Sequence, residues 1–330
     1  MGHATPAQPL PAHPSGNPSA LWLLAMRRGD FELAWTANDR VLAARDLAGR
    51  DDPAQPYHLR WVWDGRPFDG RDVLVRCYHG LGDTLQFCRY LAPLRARAAS
   101  LTLEVQPELL GLLAGMAGPD RLVAFRPDRP LRSPGCDLEI MELAHALRLP
   151  PDPAPYLVAG KQGDPRDSGF PGPRRVGLCW HVASAWQPER SLPLRLLAPL
   201  GGIAGVTLVS LQRAPGAEAL RAPGAPAVAN PGDPLTDIVD TARLIAGLDL
   251  VVTIDTMVAH LAGALGVPVW LLLLAEPDWR WMAGGRGSPW YRGVRKYRQP
   301  RPGDWPAAVD ELVADLTRLA RQNRVGWEPG

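Results

Sequence analysis

At 330 residues the chain has room for two α/β domains with full hydrophobic cores. The composition is globular, 46% hydrophobic and 21% charged, and a net charge of only +2 at pH 7 argues against a nucleic-acid or membrane-surface partner. The four cysteines form no C-x-x-C pair, the seven histidines are scattered, and apolar runs stay short of the ~20 residues of a membrane span, so we expect a cytoplasmic protein without a bound metal.

The chain begins with a Pro- and Ala-rich segment, residues 1–19, for which we predict a disordered tail. Residues 20–50 show apolar positions at helical spacing on both sides of Gly29-Asp30, which predicts a hairpin of two short helices. The motif around this break resembles the hinge of one tetratricopeptide unit. Because one unit cannot bury its own apolar face, we expect the hairpin to pack on the next domain.

Residues 51–155 are predicted to form the first of two Rossmann-like domains. Its first strand, over 72–78, runs into a glycine-rich turn, and a helix is expected over 85–98. Further strands are predicted over 101–105, 122–125 and 137–140, and further helices over 108–116 and 142–147. This alternation of strands and helices predicts a parallel sheet.

Residues 156–173 carry a cluster of Pro, Gly and Asp that predicts a linker, and 174–305 are predicted to form the second Rossmann-like domain before a C-terminal helix within 306–330. Strands are predicted over 175–180, 206–211, 250–254 and 267–274, and helices over 194–200, 237–247, 257–265 and 306–321. We expect the stretch 276–305 to be irregular. The outline is α/β and typical of a GT-B architecture, with a ligand in the cleft between the halves.

The G-L-G-D turn after the first strand is the first candidate for chemistry. Gly80 and Gly82 let the backbone approach a ligand closely, and the carboxylate of Asp83 can accept a proton from an attacking hydroxyl. Two alternatives stay open. Asp83 caps a helix that begins at Thr84, or His79, whose ordinary pKa suits a base better, takes the proton.

A second candidate loop follows the first strand of the second half, where parallel sheets place their ligand loops. His181 opens this loop, and Arg190 is a candidate clamp for a departing diphosphate. Taken alone, Arg190 is more typical of a solvated loop, and Ser191 is a candidate cap for the helix near Leu194.

The most informative stretch is the strand–turn–helix–strand unit over 249–270. Asp255 and Thr256 stand at the start of its helix, whose first N–H groups, from Met257 onward, are unpaired and positively polarised. This predicts a phosphate site. The alternatives are that Thr256 only caps the helix and that His260, one turn further on, is a packed core residue rather than a ligand group.

A tryptophan-rich segment near the end of the second half contains Asp278 and Arg280. Tryptophan rings stack on sugar faces but also simply fill cores. We expect some of these rings in the core, with Asp278 or Arg280 near the cleft. Both residues are grouped with His79 as candidate contacts to the sugar or the acceptor.

Together these segments resemble the glycosyltransferase family that includes the lipopolysaccharide heptosyltransferases, and within it the bacterial branch that carries tetratricopeptide repeats. The resemblance covers roughly residue 72 to the C-terminus. The D-T-x-x-A-H-L segment from Asp255 is its most specific part. The others are G-L-G-D-T-L-Q-F from Gly80, V-G-L-C-W from Val176, R-S-L-P-L from Arg190, the segment 240–249 and P-D-W-R-W from Pro277.

The resemblance implies a GT-B fold and an inverting, metal-independent transfer from a nucleotide-sugar donor to a hydroxyl of a glycan or protein acceptor, with no further cofactor. It implies Asp83 as the catalytic base, Arg190 as a phosphate contact and Thr256 in the diphosphate-binding turn. Met257 stands where heptosyltransferases have glycine, and the loop 182–189 also differs, so the donor stays open. The alternatives are a nucleotide-sugar epimerase or hydrolase and a non-catalytic nucleotide-sugar-binding scaffold.

Overall fold

The structure is a computed structural model that describes residues 17–159, 174–182, 187–213, 215–230 and 237–321. The predicted tail up to residue 16, the predicted linker beyond residue 159 and the part of the candidate loop at 183–186 lie outside the described residues. Within the described ranges, no helix combines the length and the apolar character that crossing a bilayer requires.

A helical hairpin opens the described part of the chain, with helices α1 (Pro18–Arg28) and α2 (Phe31–Ala43). Gly29 ends α1 in the left-handed conformation, at φ 74°, which glycine adopts without strain. The side chain of Asp30 then caps α2 by accepting the N–H of Leu33 at 3.0 Å. The two helices therefore end and begin on either side of Gly29-Asp30.

The first half consists of the elements β1 (Asp72–Arg76), α3 (Leu81–Phe87), α4 (Leu91–Arg95), β2 (Ser100–Val105), α5 (Leu110–Leu113), β3 (Arg121–Ala124), β4 (Asp137–Glu139) and α6 (Leu143–Leu147). The described strands form a parallel sheet in the order β3-β2-β1-β4, which confirms the predicted parallel pairing. The predicted start of the helix over 85–98 is wrong. The glycine turn is itself helical, so α3 begins at Leu81.

The second half consists of β5 (Arg174–Cys179), β6 (Val206–Ser210), α7 (Ile238–Ala246), β7 (Leu250–Ile254), α8 (Met257–Leu265), β8 (Val269–Leu273), β9 (Val294–Arg298) and α9 (Trp305–Arg321). Its described strands are all parallel, in the order β6-β5-β7-β8-β9. Two expectations are wrong. The stretch predicted as irregular contains β9, and the segment Leu194–Gly202, which contains Pro199, is a 3₁₀ helix.

One hydrophobic core runs through both halves. Helix α3 packs against α8, and Leu85 and Phe87 of the first half share a buried cluster with Val258 and Leu261 of the second. The start of the predicted linker joins this core, because Leu157 is buried and donates its N–H to the main-chain oxygen of α8 residue 264 at 3.0 Å. The two halves are therefore in direct packed contact and are not joined only by a linker.

The helical hairpin packs on both halves. The Trp22 ring of α1 meets the Trp279 ring of the second half edge to face, with centroids 5.0 Å apart. The Asp39 carboxylate of α2 lies 2.9 Å from the His145 ring nitrogen of the first half. The hairpin therefore packs on the first half, as expected, and α1 also reaches across to the second half.

Candidate active site

The candidate site lies where both parallel sheets present the carboxyl ends of their strands. In the second sheet the chain reverses its direction of winding between β5 and β7, and the segments after both strands open into the same space. Such a reversal leaves a crevice between adjacent loops, which is where open α/β sheets bind ligands. The glycine turn after β1 of the first sheet faces this crevice from the other side.

A cavity of about 380 Å³ fills the crevice. It is lined by eleven of the twelve predicted site residues, which are Gly80, Gly82, Asp83, His181, Arg190, Asp255, Thr256, Met257, His260, Asp278 and Arg280. Residues from widely separated segments therefore meet at one place. The twelfth predicted site residue, His79, does not line this cavity.

Asp83 belongs to the first turn of α3. Its Oδ2 atom accepts the N–H of Gly80, the residue before the helix, at 3.0 Å. The alternative that Asp83 caps a helix beginning at Thr84 is wrong about the start of the helix. Asp83 does act as a cap, but it is the third residue of α3, which begins at Leu81. The other oxygen, Oδ1, pairs with the guanidinium of Arg280 and remains on the cavity wall.

Arg280 joins the two halves at the cavity. Its Nε donates to Oε1 of Gln86 at 2.9 Å, and its Nη1 donates to Oδ1 of Asp278 at 2.8 Å. The guanidinium also lies over the Trp279 ring, 4.2 Å from the ring centroid. With Asp83 as a further partner, the Arg280 side chain is fixed by both halves and orients the carboxylate opposite it.

The turn after β7 places the start of α8 on the cavity wall. The hydroxyl of Thr256 accepts the N–H of Val258 at 3.3 Å, so Thr256 does cap the helix, and it lines the cavity as well. A methyl group placed on Gly82 would lie 3.5 Å from the Cα of Met257. The first turns of α3 and α8 therefore meet here, and both direct positively polarised helix ends at the cavity.

Arg190 is bound to this turn instead of being solvated. Its Nη1 donates to the main-chain oxygen of Asp255 at 3.1 Å and lies 3.5 Å from the Asp255 carboxylate. Burial raises the pKa of Asp255, and the neighbouring Arg190 works against that rise. Ser191 does not cap the helix near Leu194, because its hydroxyl accepts the N–H of Val182.

His260 is both a cavity residue and a packed one. Its ring stacks on the Trp281 ring with centroids 5.2 Å apart, and its Nδ1 lies 2.9 Å from the hydroxyl of Tyr291. Burial, with nearby arginines including Arg280, lowers the pKa of His260 well below its ordinary value. Burial therefore favours the neutral form of this ring.

His79 faces a different cavity, of about 210 Å³, between the helical hairpin and the first half. Its Nε2 lies 3.9 Å from the carboxylate of Glu139. Burial lowers the pKa of His79, while the charge of Asp83 acts in the opposite direction. The structure thus separates the two candidate bases, and Asp83 is the one that lines the main cavity.

Gln212 is a cavity residue that the sequence reasoning missed. Its Oε1 accepts the N–H groups of Trp180 and His181 at 3.1 and 2.9 Å, and its Nε2 donates to the main-chain oxygen of His181 at 3.2 Å. These bonds tie the segment after β5 to that after β6 and hold His181 at the cavity. The signal was a polar residue directly after the predicted strand 206–211.

No family model matches the chain. The curated protein FlbA of Caulobacter vibrioides is 31% identical over 290 residues, covering 78% of this chain and 48% of FlbA, so the chain spans about half of that relative. A glycosyl transferase family 9 structure from Veillonella parvula aligns with a TM-score of 0.56 and 12% identity, over 77% of this chain and 98% of that one. The iron-containing heptosyltransferase TibC of enterotoxigenic Escherichia coli, in complex with ADP-D-β-D-heptose, aligns with a TM-score of 0.50 and 13% identity, over 77% of this chain and 78% of TibC.

The architecture defines an α/β protein with two parallel sheets and a ligand cleft at the carboxyl ends of their strands. More particularly, this is the fold of glycosyltransferase family 9. The predicted likeness to the heptosyltransferases is therefore confirmed at the level of the fold.

Proposed function

We propose that the chain is a GT-B glycosyltransferase that transfers a sugar from a nucleotide-sugar donor to an acceptor hydroxyl, with inversion at the anomeric carbon and without a metal. One observation carries the proposal. A single cavity holds the Asp83 carboxylate on one wall and Arg190 with the Thr256–Met257 helix start on the other. A proton acceptor facing a phosphate-binding group is what transfer from a diphosphate-linked sugar requires.

In the proposed reaction the acceptor oxygen attacks the anomeric carbon while Asp83 takes its proton. The bond from that carbon to the diphosphate breaks, and the diphosphate leaves with the bonding electrons. Arg190 and the first N–H groups of α8 stabilise the charge that develops on it. Because this stabilisation is strongest once the charge has formed, it lowers the barrier rather than only tightening donor binding. These groups take the part that a divalent cation plays elsewhere, so EDTA is expected to leave turnover unchanged.

The proposed donor is a nucleoside diphosphate sugar. Support comes from the cavity and from the fold shared with TibC, whose structure holds ADP-D-β-D-heptose. Met257 brings a side chain to the turn where heptosyltransferases have glycine, so the donor base and sugar need not be those of TibC.

On the acceptor side we propose the cavity between the hairpin and the first half. It is lined by Trp22 and Trp61, whose rings suit a sugar or peptide face, and by the acidic side chains of Glu139 and Glu142. His79, which also lines it, directly precedes Gly80 of the main cavity. An acceptor held here, whether glycan or protein, would bring a hydroxyl toward Asp83.

A thermal-shift screen of the purified chain against UDP, GDP, ADP, CMP and their sugar conjugates tests the donor site. A ligand of the native state stabilises it by about 2.7 kcal/mol at a hundredfold excess over Kd. We expect one nucleotide to raise the melting temperature and Arg190→Ala to reduce that rise to about half or less. Arg195→Ala, at an exposed arginine just after the candidate loop, is the matched control.

The outcomes separate the proposed function from its alternatives. Turnover of the donor without any acceptor would indicate an epimerase or hydrolase. Binding without turnover across glycan and protein acceptors, together with indifference to Asp83→Asn, would indicate a non-catalytic binding protein. No shift with any nucleotide, in protein shown to be folded, would contradict a donor site.

A further inference from the structure

Two cations on one face of the edge strand β9 hold the segment that follows Arg280. The ammonium of Lys296 donates to the main-chain oxygens of Trp281 and Gly284 at 2.6 and 2.9 Å. The guanidinium of Arg298 donates to the main-chain oxygen of Met282 at 2.8 Å and to that of the next residue, 283. All four consecutive carbonyls of the segment 281–284 are therefore bonded to these two side chains, a group we call the carbonyl clamp.

The clamped segment has a backbone conformation that needs such support. Met282 has φ 56° and ψ 160°, a backbone conformation that residues other than glycine rarely adopt. The carbonyl clamp binds the main-chain oxygen of Met282 and those of the residues before and after it. The hairpin adds a further bond, because the N–H of Ala283 donates to the main-chain oxygen of Arg27 at 2.7 Å. Strain of this kind persists only where the surroundings fix the backbone, as they do here.

The position of this segment sets the position of Arg280. Arg280 lies in the short 3₁₀ helix Trp279–Trp281, so the last residue of that helix is also the first clamped residue. From there the Arg280 side chain reaches across the cleft to Gln86 and Asp83. A shift of the clamped backbone would move the guanidinium away from the carboxylate that it orients.

The burial of the Lys296 ammonium group is costly for the stability of the fold. The Lys296 side chain is buried, with 4% of the residue exposed, and both of its hydrogen-bond acceptors are uncharged carbonyls. Burying an ammonium group without a carboxylate beside it is unfavourable, and an aliphatic side chain would fill the same space at lower cost. The hydrogen bonds that the ammonium group donates to residues 281 and 284 partly offset this cost, and they hold the segment in place.

We propose that Lys296 and Arg298 are positioning residues for the transfer reaction, acting through the segment 281–284 on Arg280 and thereby on Asp83. The inference rests on the proposed function for its effect on turnover. Its structural part, the control of the Arg280 side chain, can be measured without any turnover.

Lys296→Met and Arg298→Met test the inference, with Arg295→Met as the matched control. Arg295 directly precedes Lys296 in β9, but its side chain pairs with Asp315 of α9. Its loss removes a partly buried cation of the same strand and leaves the carbonyl clamp intact. Any general destabilisation of β9 is therefore shared by the control, whereas a change at Arg280 is not.

We expect Lys296→Met to lower kcat by about tenfold to 100-fold, because small misplacements of catalytic groups have effects of this size. The donor Kd should stay close to that of wild type, since Lys296 does not line the cavity. In an Arg280→Ala background the same substitution should have no further effect on kcat. Arg295→Met should leave kcat unchanged.

The second measurement is hydrogen exchange of the Arg280 Nε–H by NMR, with the signal assigned from its loss in Arg280→Lys. We expect exchange to be about tenfold faster in Lys296→Met, because the bond to Gln86 is weakened, and unchanged in Arg295→Met. Equal exchange in the two variants would overturn the inference whether or not the chain is active. Absence of turnover in the wild type would instead contradict the proposed function and leave the exchange result to decide on the clamp.

Discussion

The two walls of the main cavity, one from each half of the chain, are built from very different numbers of segments. The first half contributes one helical turn, which carries Gly80, Gly82 and Asp83. The second half contributes the segments that follow β5, β6, β7 and β8. A carboxylate on one wall and cations with a helix start on the other suit different steps of one reaction. Substitutions of Asp83 in the first wall should therefore change turnover and leave donor binding unchanged, whereas substitutions of the phosphate-binding groups in the second wall should change donor binding as well as turnover.

Loss of the carboxylate on the first wall should have the largest effect. Asp83→Asn keeps the shape of the side chain and its bond to Gly80 but removes the proton acceptor, so kcat should fall by about 100- to 10,000-fold. The nucleotide Kd, measured by calorimetry, should remain that of wild type. The control is Asp69→Asn, at an exposed carboxylate of the same half that also pairs with an arginine. Unchanged turnover would remove Asp83 from the reaction.

Loss of Arg190, a cation on the second wall, should weaken donor binding in addition to slowing turnover. Arg190→Ala should raise the nucleotide Kd by about tenfold to 100-fold, the range for a hydrogen bond to a charged group. It should also lower the free energy of unfolding, because the buried Asp255 carboxylate loses its partner. Chemical denaturation and calorimetry of Arg190→Ala beside the exposed control Arg195→Ala measure both effects. An unaltered Kd would place the diphosphate elsewhere.

The second wall was predictable where its residues are close together in the sequence. Asp255, Thr256 and Met257 follow a run of five buried strand residues and begin a helix, so the local pattern alone indicates a ligand turn. Gln212 was missed because a polar residue after a strand resembles any loop residue until its bonds to Trp180 and His181 are seen.

The contacts between the walls were not predictable. Asp83 and Arg280 are separated by 197 residues, and no local spacing brings them together. Strand β9 was missed for a related reason. Its sequence, V-R-K-Y-R, is rich in cations, and their acceptors are the loop 281–284 and Asp315 of α9, which only the folded chain brings close.

Packing behind the second wall should have a smaller effect. A Cβ atom on Gly263 of α8 would lie 2.5 Å from the ring of Tyr291, which in turn bonds to His260. Gly263→Ala should therefore lower the free energy of unfolding by about 1–3 kcal/mol through overpacking. Gly202→Ala, where nothing lies within 4 Å of the new atom, is the control in denaturant melts. Equal stability of the two variants would contradict the close contact between α8 and Tyr291.

The buried lysine behind the second wall should give the smallest effect, and one that depends on pH. Burial, together with the charge of Arg298, lowers the pKa of Lys296 from 10.5 to about 8. Below the folded-state pKa the charged ammonium destabilises the native state in full. This penalty diminishes as pH rises from about 8 toward the unfolded-state value, because the folded chain releases the proton first.

Wild type should therefore gain stability relative to Lys296→Met between about pH 7.5 and about pH 9.5, by up to about 2 kcal/mol. Urea denaturation of both proteins across this range measures the difference, in which the titration of all other groups cancels to first order. A difference that stays flat with pH would mean that Lys296 keeps its ordinary pKa in the folded chain. Since Arg298 contributes to the shift, Arg298→Met should make the rise smaller. The second wall would then be supported by two cations whose mutual repulsion the clamped carbonyls offset.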